Sequence, residues 1–373
     1  MRKMKSVFGL IPIILGGCFL ITGNRNPSAD AIQSDGPYVF YNNKQIVVKY
    51  VVDDDGVHKI RTETMDASAK DSLVLKVLTD LPGTTFSFKL KSSLENEIPS
   101  WDSVSKMLII SDIEGNFESF RKLLQGNGVV DSLMNWSFGN AHLVLTGDFF
   151  DRGNQQTEVL WLIYSLEEKA KAAGGYVHFV LGNHEIMNLS GDIRYVNKKY
   201  LMNAALMNKD YITLFAEDTE LGRWLRTKNV MERVGDILFV HGGISEAVNH
   251  MSIQPEALNS LVRPYYPDST YSYNDSRIDT LFSDLGPFWY RGYYSGSPKA
   301  SLQQIERTLA LYNVKHIATG HTVIADTISV LFSGKVFNTD VHHAKGMSEG
   351  LLKENGQYFR VNQLGEKFRL PTY

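Results

Sequence analysis

The sequence predicts an α/β fold whose functional residues follow the ends of its strands. From about Lys106 onward, short apolar runs typical of buried strands alternate with longer stretches typical of helices. Five of these apolar runs end directly in a glycine-flanked polar residue. Open α/β sheets place their binding sites beyond the carboxyl ends of the strands, so we expect these five positions to meet in one crevice. The 373 residues, of which 43% are hydrophobic, are sufficient for a large core.

The N-terminus has the pattern of a secretory leader. Three basic residues within the first five precede residues 7–22, which are almost wholly apolar. This run of 16 residues is shorter than the ~20 needed to span a bilayer, so a leader over residues 1–22 fits better than a membrane span. The polar residues 23–36 then predict a tether. We therefore expect an exported protein.

The only cysteine of the chain, Cys18, follows the sequence Leu-Gly-Gly. This segment resembles the lipobox of bacterial lipoproteins, in which the cysteine is acylated. A lone cysteine makes no internal disulfide, which favours a lipid anchor on Cys18 and a place in the bacterial cell envelope. Cleaved export to the periplasm and an uncleaved N-terminal anchor are the alternatives. The net charge of −3 gives no electrostatic case for a nucleic acid partner.

Residues 37–100 predict a small β extension with no chemistry of its own. Their β runs lie at 38–41, 45–52, 73–77 and 86–90. The sequence Asp-Asp-Asp-Gly at 53–56 follows the second run and predicts a solvated turn.

Residues 101–373 predict the main domain, with a helical insert at about 186–234. Within the insert, apolar and aromatic residues recur at roughly helical spacing. Because the insert lies between two of the polar positions, it could form a lid or one wall of a substrate cleft. His342 and His343 follow the last strand of the series and are interpreted as structural residues, although their loop could approach the site.

The five polar positions carry side chains that bind metal ions and phosphate. Asp112 and Glu114 are two residues apart at a strand end, so their carboxylates project to the same side and can chelate one cation. Asp148 can bridge two cations, and Arg152 offers a planar fork to phosphate. The remaining positions add the oxygen ligand of Asn183 and the imidazole nitrogens of His241 and His321, the latter suited to Zn, Fe or Mn.

This set of residues suits the hydrolysis of phosphate esters. Two cations ~3.5–4 Å apart lower the pKa of the water between them and so supply a hydroxide near neutral pH. The cations and Arg152 neutralise charge on the phosphoryl oxygens. His184 is adjacent to a candidate ligand and can donate a proton to the leaving oxygen, with Asp151 orienting its imidazole.

In this order, the motifs resemble those of the calcineurin-like metallophosphoesterases. They are Asp-x-Glu-Gly at 112–115, Gly-Asp-x-x-Asp-Arg-Gly at 147–153, Gly-Asn-His-Glu at 182–185, His-Gly-Gly at 241–243 and Gly-His at 320–321. The second motif looks most like the phosphoprotein phosphatase branch. The longer stretches 181–185, 190–192, 224–228 and 288–291 are similar to the bacterial Shewanella-like protein phosphatases. The resemblance covers about residues 106–350.

The resemblance implies a β-sandwich of mixed sheets flanked by helices, with two divalent metal ions at its edge. It implies that one ion is held by Asp112, Glu114 and Asp148, and the other by Asp148, Asn183, His241 and His321. Arg152, Asn183 and Arg291 would bind the substrate phosphate, and His184 with Asp151 would protonate the leaving group.

Glu114 departs from the family pattern, which usually has histidine at this position. Glutamate remains a competent ligand, but it adds negative charge and favours harder cations such as Mn or Mg. We therefore expect Mn in preference to Fe or Zn.

Three functions remain open. The first is the hydrolysis of phosphate monoesters, on phosphoproteins, phosphopeptides or small esters, by attack of a metal-bound hydroxide. Phosphotyrosine is the favoured substrate within this class, and its cleft would be walled by Phe149, Phe150, Trp289, Tyr290, Tyr293 and Tyr294. The second function is the cleavage of phosphodiesters or nucleotide pyrophosphates. The third is a binding lipoprotein of the envelope with a catalytically weakened site.

Overall fold

The computed structural model describes residues 34–371, except Asp80, Pro82, Tyr271 and Pro298. These residues belong to one compact unit. The predicted leader, Cys18 and most of the tether lie outside the described residues, so the export and the lipid anchor stay predictions. Among the described helices, none has the length and apolar character to cross a membrane.

The strands of the described residues are β1 (Asp35–Asn42), β2 (Gln45–Asp54), β3 (Val57–Asp66), β4 (Val74–Val77), β5 (Phe86–Lys89), β6 (Ser100–Trp101), β7 (Lys106–Ile110), β8 (His142–Leu145), β9 (Tyr176–Phe179), β10 (Met231–Val234), β11 (Ile237–Val240), β12 (His316–Thr319), β13 (Ser329–Leu331), β14 (Val336–Asn338), β15 (Glu349–Glu354), β16 (Gln357–Asn362) and β17 (Lys367–Arg369).

The helices of the described residues are α1 (Phe117–Gly126), α2 (Gln156–Ala172), α3 (Asn183–Ser190), α4 (Lys198–Leu206), α5 (Glu220–Leu225), α6 (Glu246–Met251), α7 (Pro255–Val262), α8 (Ser276–Phe282) and α9 (Leu302–Tyr312). Short 3-10 turns lie at Ala67–Ser72, Tyr211–Phe215, Arg263–Tyr265 and His343–Lys345.

Two six-stranded mixed sheets form a sandwich. One has the order β17-β16-β15-β7-β8-β9, and the other has the order β13-β14-β12-β11-β10-β6. A buried apolar cluster lies between the sheets, where Met107 and Val144 of the first pack with Phe239 and Phe337 of the second. A larger apolar cluster includes residues of the helices, among them Trp161 of α2. The predicted sandwich of mixed sheets flanked by helices is confirmed.

Parallel pairing brings the predicted functional positions to one edge of the sandwich. In the first sheet β7, β8 and β9 are parallel neighbours, and in the second sheet β11, β12 and β14 are parallel neighbours. Their carboxyl ends therefore point the same way within each sheet. The loops that follow these ends carry Asp112, Asp148, Asn183, His241 and His321.

The N-terminal β segment is part of the same core as the main domain. β1, β2 and β3 form an antiparallel sheet, with the expected tight turn after Asp54. The Trp161 indole N–H of α2 donates to the Pro37 carbonyl at 2.8 Å, and Tyr41 hydrogen-bonds the Glu220 carboxylate of α5. Sequence analysis missed β3 because most of its side chains are exposed and polar, so no apolar run marks it.

Two predicted boundaries are wrong in detail. The tether was expected to extend to residue 36, but β1 begins at Asp35, which is buried beneath Tyr38 and Asn203. The helical insert was expected to extend to residue 234, but its last helix ends at Leu225, and Met231–Val234 form β10 of the second sheet. A four-residue strand is too short for its periodicity to separate it from a helix.

If the β segment shares the main core, a cavity within it lowers the stability of the whole chain. Ile46 of β2 is fully buried, so Ile46→Ala should lower the free energy of unfolding by about 2–5 kcal/mol in a single transition. Val57→Ala is the control, because Val57 is 58% exposed and should change little. Urea unfolding followed by tryptophan fluorescence measures both. A separate early transition, with the main one unchanged, would show that the segment folds independently.

Candidate metal centre

A polar cleft of about 200 Å³ lies at the edge of the sandwich where the strands end. It is lined by Asp112, Glu114, Asp148, Arg152, Asn183, His184, Arg291, His321, Val323, Asp340, Val341 and His342. His241 lies directly behind these residues, in contact with Asp148 and Asn183. The structure thus brings together every predicted metal-binding and phosphate-binding residue.

Asp148 lies at the centre of the cluster. Its Oδ2 is 3.0 Å from His241 Nε2, and its Oδ1 accepts the backbone N–H of His184 at 2.9 Å. Donor atoms of Asp148, His241 and His321 all lie within 4.8 Å of one another. Burial alone would raise the pKa of the Asp148 carboxyl, but His241 and His184 hold it below its usual range. Asp148 therefore stays ionised and available to a cation.

His241 is oriented as a metal ligand by its main-chain contact. Its Nδ1 lies 2.7 Å from the Thr146 carbonyl oxygen, so this nitrogen carries the proton and donates it. Its Nε2 lies 3.0 Å from both Asn183 Oδ1 and Asp148 Oδ2. Burial opposes a charge on His241, but Asp148 raises the pKa of the imidazole, and a cation in the cleft would replace the proton on Nε2. Metal-binding histidines are usually fixed in this way by a hydrogen bond from the other ring nitrogen.

Asp112 and His321 join the first sheet to the second. The backbone N–H of His321 donates to both carboxylate oxygens of Asp112 at 3.1 Å. A Cβ on Gly320 would lie 2.1 Å from Asp112 Oδ2, so the glycine permits this approach. Burial, together with His241 and Arg291, holds the pKa of His321 well below its usual value, which keeps the imidazole neutral and able to bind a metal.

The backbone is strained at most of these positions. A left-handed φ is uncommon for residues other than glycine, and clusters of such residues mark functional sites. Positive φ angles occur at Asp112 (53°), Glu114 (49°), Asp148 (61°), Asp151 (71°), Arg152 (55°) and His321 (67°). The cleft thus holds its side chains at some conformational cost.

Glu185 organises the loop that carries Asp148, a role that sequence analysis missed. Its buried carboxylate accepts the backbone N–H groups of Asp148 at 2.9 Å, Phe149 at 2.7 Å and Gly182 at 2.7 Å. Glu185 also caps the start of α3, so it connects the loop after β8 to the loop after β9. A glutamate three residues into a helix is a known capping signal, so the sequence did contain the pattern.

His184 and Asp151 form the expected pair. His184 Nδ1 lies 2.6 Å from Asp151 Oδ2, and Asp151 Oδ1 accepts from the Asn188 amide at 2.9 Å. Burial opposes the charge on His184, but Asp148 and the hydrogen bond to Asp151 raise the pKa of the imidazole to about 9. His184 also lines the cleft, with Nε2 3.8 Å from Asp148 Oδ2. This arrangement presents a protonated imidazole to a bound group.

Two arginines reach the cleft from different elements. Arg152 forms an ion pair with Glu114, and its guanidinium lies 5.6 Å from the centre of the Tyr195 ring. Arg291 Nη1 donates to the His321 carbonyl at 2.6 Å and to Thr322 Oγ1 at 2.9 Å. Both guanidiniums retain further N–H donors for an anion.

The predicted aromatic wall is wrong, because none of its six residues lines the cleft. Phe149 and Phe150 are fully buried, and their rings pack against Phe120 and Phe215. Trp289 contacts His321, with its carbonyl oxygen 3.2 Å from Nε2 and the two ring centres 5.9 Å apart. These residues are close to the motifs in sequence, which places their backbone near the site. Closeness in sequence does not fix the direction of a side chain, so it could not predict an aromatic wall.

The loop after β14 contributes Asp340, which sequence analysis did not single out, and His342, which it interpreted as structural. Asp340 and His342 line the cleft, whereas His343 is buried and contacts the Ser111 carbonyl at 2.9 Å. Burial and Glu114 raise the pKa of Asp340 to about 7. The structural interpretation of His343 is confirmed, and His342 lies where its loop approaches the cleft, as the sequence analysis left open. The only available signal was a polar residue soon after a strand, without the flanking glycine of the other positions.

Comparison with known proteins identifies the family. Residues 105–325, more than half of the chain, match the model of the calcineurin-like phosphoesterase family. The chain belongs to this family. It is therefore a phosphoesterase, which favours an enzyme over the weakened binding lipoprotein.

Shewanella-like phosphatases are among the proteins similar to this chain, as the motifs predicted. Shewanella-like protein phosphatase 2 of Arabidopsis thaliana is 27% identical over 69% of this chain and 77% of that protein. Shewanella-like protein phosphatase 1 of Plasmodium berghei is 30% identical over 63% of this chain and 66% of that protein. The cold-active protein-tyrosine phosphatase of a psychrophilic Shewanella species is 34% identical, with a TM-score of 0.82, over 91% of this chain and all of that chain.

The structural likeness extends beyond the motifs. A match over 91% of this chain necessarily includes part of the segment before Lys106, so it exceeds the stretch 106–350 that the motifs mark. Calcineurin-like phosphoesterases depend on two metal ions. The donor set fits such a pair, because carboxylate, amide and imidazole ligands converge on one cleft that has several buried acidic groups and needs compensating positive charge.

Glu185 offers a test of how the loop is held. In Glu185→Gln, an N–H donor replaces one acceptor oxygen and faces backbone N–H groups that then lack a partner. We expect a loss of about 1–3 kcal/mol in the free energy of unfolding, together with weaker metal binding. Glu168→Gln is the control, because the Glu168 side chain is 58% exposed. Equal stability of the two variants in urea would contradict the assigned role of Glu185.

Proposed function

We propose that this protein is a dinuclear-metal phosphatase that hydrolyses phosphate monoesters on proteins or peptides, with phosphotyrosine as the favoured substrate. One observation carries the proposal. The Asp148, His241 and His321 donors, the His184–Asp151 pair and two arginines belong to a single cleft or lie against it. Hydrolysis of a monoester needs metal ligands, a proton donor and cationic groups for the phosphoryl oxygens, and this cleft contains all of them.

In this proposal Asp148 would be a ligand of both ions. Asp112 and Glu114 would complete the protein ligands of one ion, and Asn183, His241 and His321 would complete those of the other. When bound, the two ions lower the pKa of a water molecule and neutralise charge on the phosphate. Asp148 suits the shared position because His241 and His184 keep its buried carboxylate ionised, and an ionised carboxylate has two oxygens to offer.

The remaining residues bind the substrate and transfer a proton. Arg152 and Arg291 donate N–H groups to the non-bridging phosphoryl oxygens, with the Asn183 side chain nearby. His184 holds its proton on Nε2 because Asp151 orients and charges the ring through Nδ1. It can therefore protonate the leaving oxygen as the ester bond breaks.

The substrate class is supported by the relatives and by the mouth of the cleft. The Shewanella relative at 34% identity is a protein-tyrosine phosphatase, and the Arabidopsis relative is a protein phosphatase. Tyr195 is 44% exposed, its ring centre is 5.2 Å from that of His184, and it can pack against an aromatic leaving group. The location outside the cytoplasm and the lipid anchor on Cys18 are further proposals, and they depend on the leader sequence alone.

Substitutions at Asp148 and His184 separate metal binding from proton transfer. Asp148→Asn should lose metal and activity together, because the shared ligand loses its charge. His184→Ala should keep its metal but lose about 10²–10⁴-fold in kcat, most strongly for esters with poor leaving groups. Metal content by mass spectrometry and kcat with p-nitrophenyl phosphate and phenyl phosphate measure these effects. His250→Ala is the control, because His250 has a side chain that is 72% exposed. A His184→Ala enzyme with wild-type turnover on both esters would refute the proton-donor assignment.

The choice of ester separates the proposed function from its main alternative. We expect p-nitrophenyl phosphate to be hydrolysed with a higher kcat/KM than bis-p-nitrophenyl phosphate, because the arginines recognise a dianionic group. Among phosphopeptides of one sequence, phosphotyrosine should be preferred to phosphoserine. Preference for the diester would instead support a phosphodiesterase or nucleotide pyrophosphatase.

A further inference from the structure

Asp340 is an acidic residue of the cleft for which the structure gives no internal partner. It follows β14, whose parallel neighbour β12 leads to His321. Asp340 is only 6% exposed, and it lines the cleft with Asp112, Glu114 and Asp148. Asp340 is therefore enclosed by the protein and shares the cleft with the proposed metal ligands.

In the described part of the chain, each of the other acidic residues of the cleft has a hydrogen-bond or ion-pair partner, whereas the Asp340 carboxylate has none. Asp112 accepts a backbone N–H from His321, Asp148 contacts His241, and Glu114 pairs with Arg152. Within the described part of the chain, the Asp340 carboxylate accepts no hydrogen bond and forms no ion pair with a side chain. A buried carboxylate without a hydrogen-bond partner is unfavourable, and a cation bound in the cleft would compensate its charge.

The donor types on the two sides of the cleft differ. On the side of His241 and His321, the ligands include two imidazoles and the Asn183 oxygen. On the other side, Asp112 and Glu114 offer only carboxylate oxygens, because Glu114 stands where the family usually has histidine. A cation bound there meets oxygen ligands alone, as Mn²⁺ and Mg²⁺ prefer.

We propose that Asp340 is a further ligand, direct or through one water molecule, of the cation held by Asp112, Glu114 and Asp148. This cation then has an all-oxygen site that selects Mn²⁺ or Mg²⁺ over Zn²⁺, and the imidazole side retains a broader preference. The proposal rests on the dinuclear site of the proposed function. It assigns to Asp340 a role in metal selection rather than in proton transfer.

Metal titration of the metal-free protein tests this role without any substrate. Free Mn²⁺, followed by electron paramagnetic resonance, should reveal two sites in the wild type. Asp340→Asn keeps the side-chain shape and should weaken one Mn²⁺ site by about 10–100-fold, while the other site and the affinity for Zn²⁺ change little. Asp279→Asn is the matched control, because Asp279 carries the same charge and is exposed, but it does not line the cleft.

Equal Mn²⁺ binding by wild type, Asp340→Asn and Asp279→Asn would overturn the proposal. An equal loss in both variants would also overturn it, because the effect would then be general electrostatics. Glu114→His provides a second measurement if Asp340→Asn fails to fold. This variant replaces one oxygen ligand by a nitrogen ligand. The ratio of Mn²⁺ to Zn²⁺ affinity at the site that includes residue 114 should therefore fall at least tenfold. An unchanged ratio would contradict an all-oxygen site.

The outcome is independent of catalysis. A protein that binds two Mn²⁺ ions in the expected way but hydrolyses no phosphate ester would refute the proposed function and leave the role of Asp340 standing. If the wild type hydrolyses monoesters but Asp340→Asn binds Mn²⁺ with unchanged affinity, the proposed function stands and the role of Asp340 is refuted.

Discussion

The architecture depends on a very close approach between the strand ends of the two sheets, where Asp148 is buried. A Cβ on Gly182 would lie 2.3 Å from Asp148 Oδ1, and one on Gly147 would lie 2.6 Å from His241 Nδ1. No side chain fits at either position, so the glycines allow donors from both sheets to share one small volume. The same approach removes Asp148 from water, and its ionisation then depends on its neighbours rather than on solvent.

This compactness explains why the cleft suits a charged reaction. Ligands held by strained backbone and by main-chain hydrogen bonds need little rearrangement when a cation or a phosphate enters, which is the basis of electrostatic preorganisation. The Glu185 carboxylate holds the loop of Asp148 in place by accepting backbone N–H groups, and Asp151 orients the imidazole of His184. The site therefore depends on buried residues that never touch a substrate. The N-terminal β segment contributes indirectly, because it packs on α2, which starts just after the Asp151 loop.

Much of this site could be predicted from sequence because each ligand interrupts an apolar run abruptly and is accompanied by glycine. Strand ends of this kind specify both the location and the chemistry, as they did for Asp112 and His321. The direction of a side chain is a different matter. Phe149 and Phe150 neighbour a ligand, yet their rings turn into the core, because packing rather than position decides where an aromatic residue points. Asp340 was missed since its loop lacks the glycine signal, and β3 was missed because a polar edge strand has no apolar pattern.

The central claim is that two metal ions share Asp148 at this edge of the sandwich. Anomalous diffraction from crystals of the Mn²⁺-loaded protein, recorded on both sides of the manganese absorption edge, tests it most directly. The account predicts two manganese peaks roughly 3.5–4 Å apart, with one oxygen of Asp148 between them or one on each. A single peak, or two peaks of which neither contacts Asp148, would contradict it.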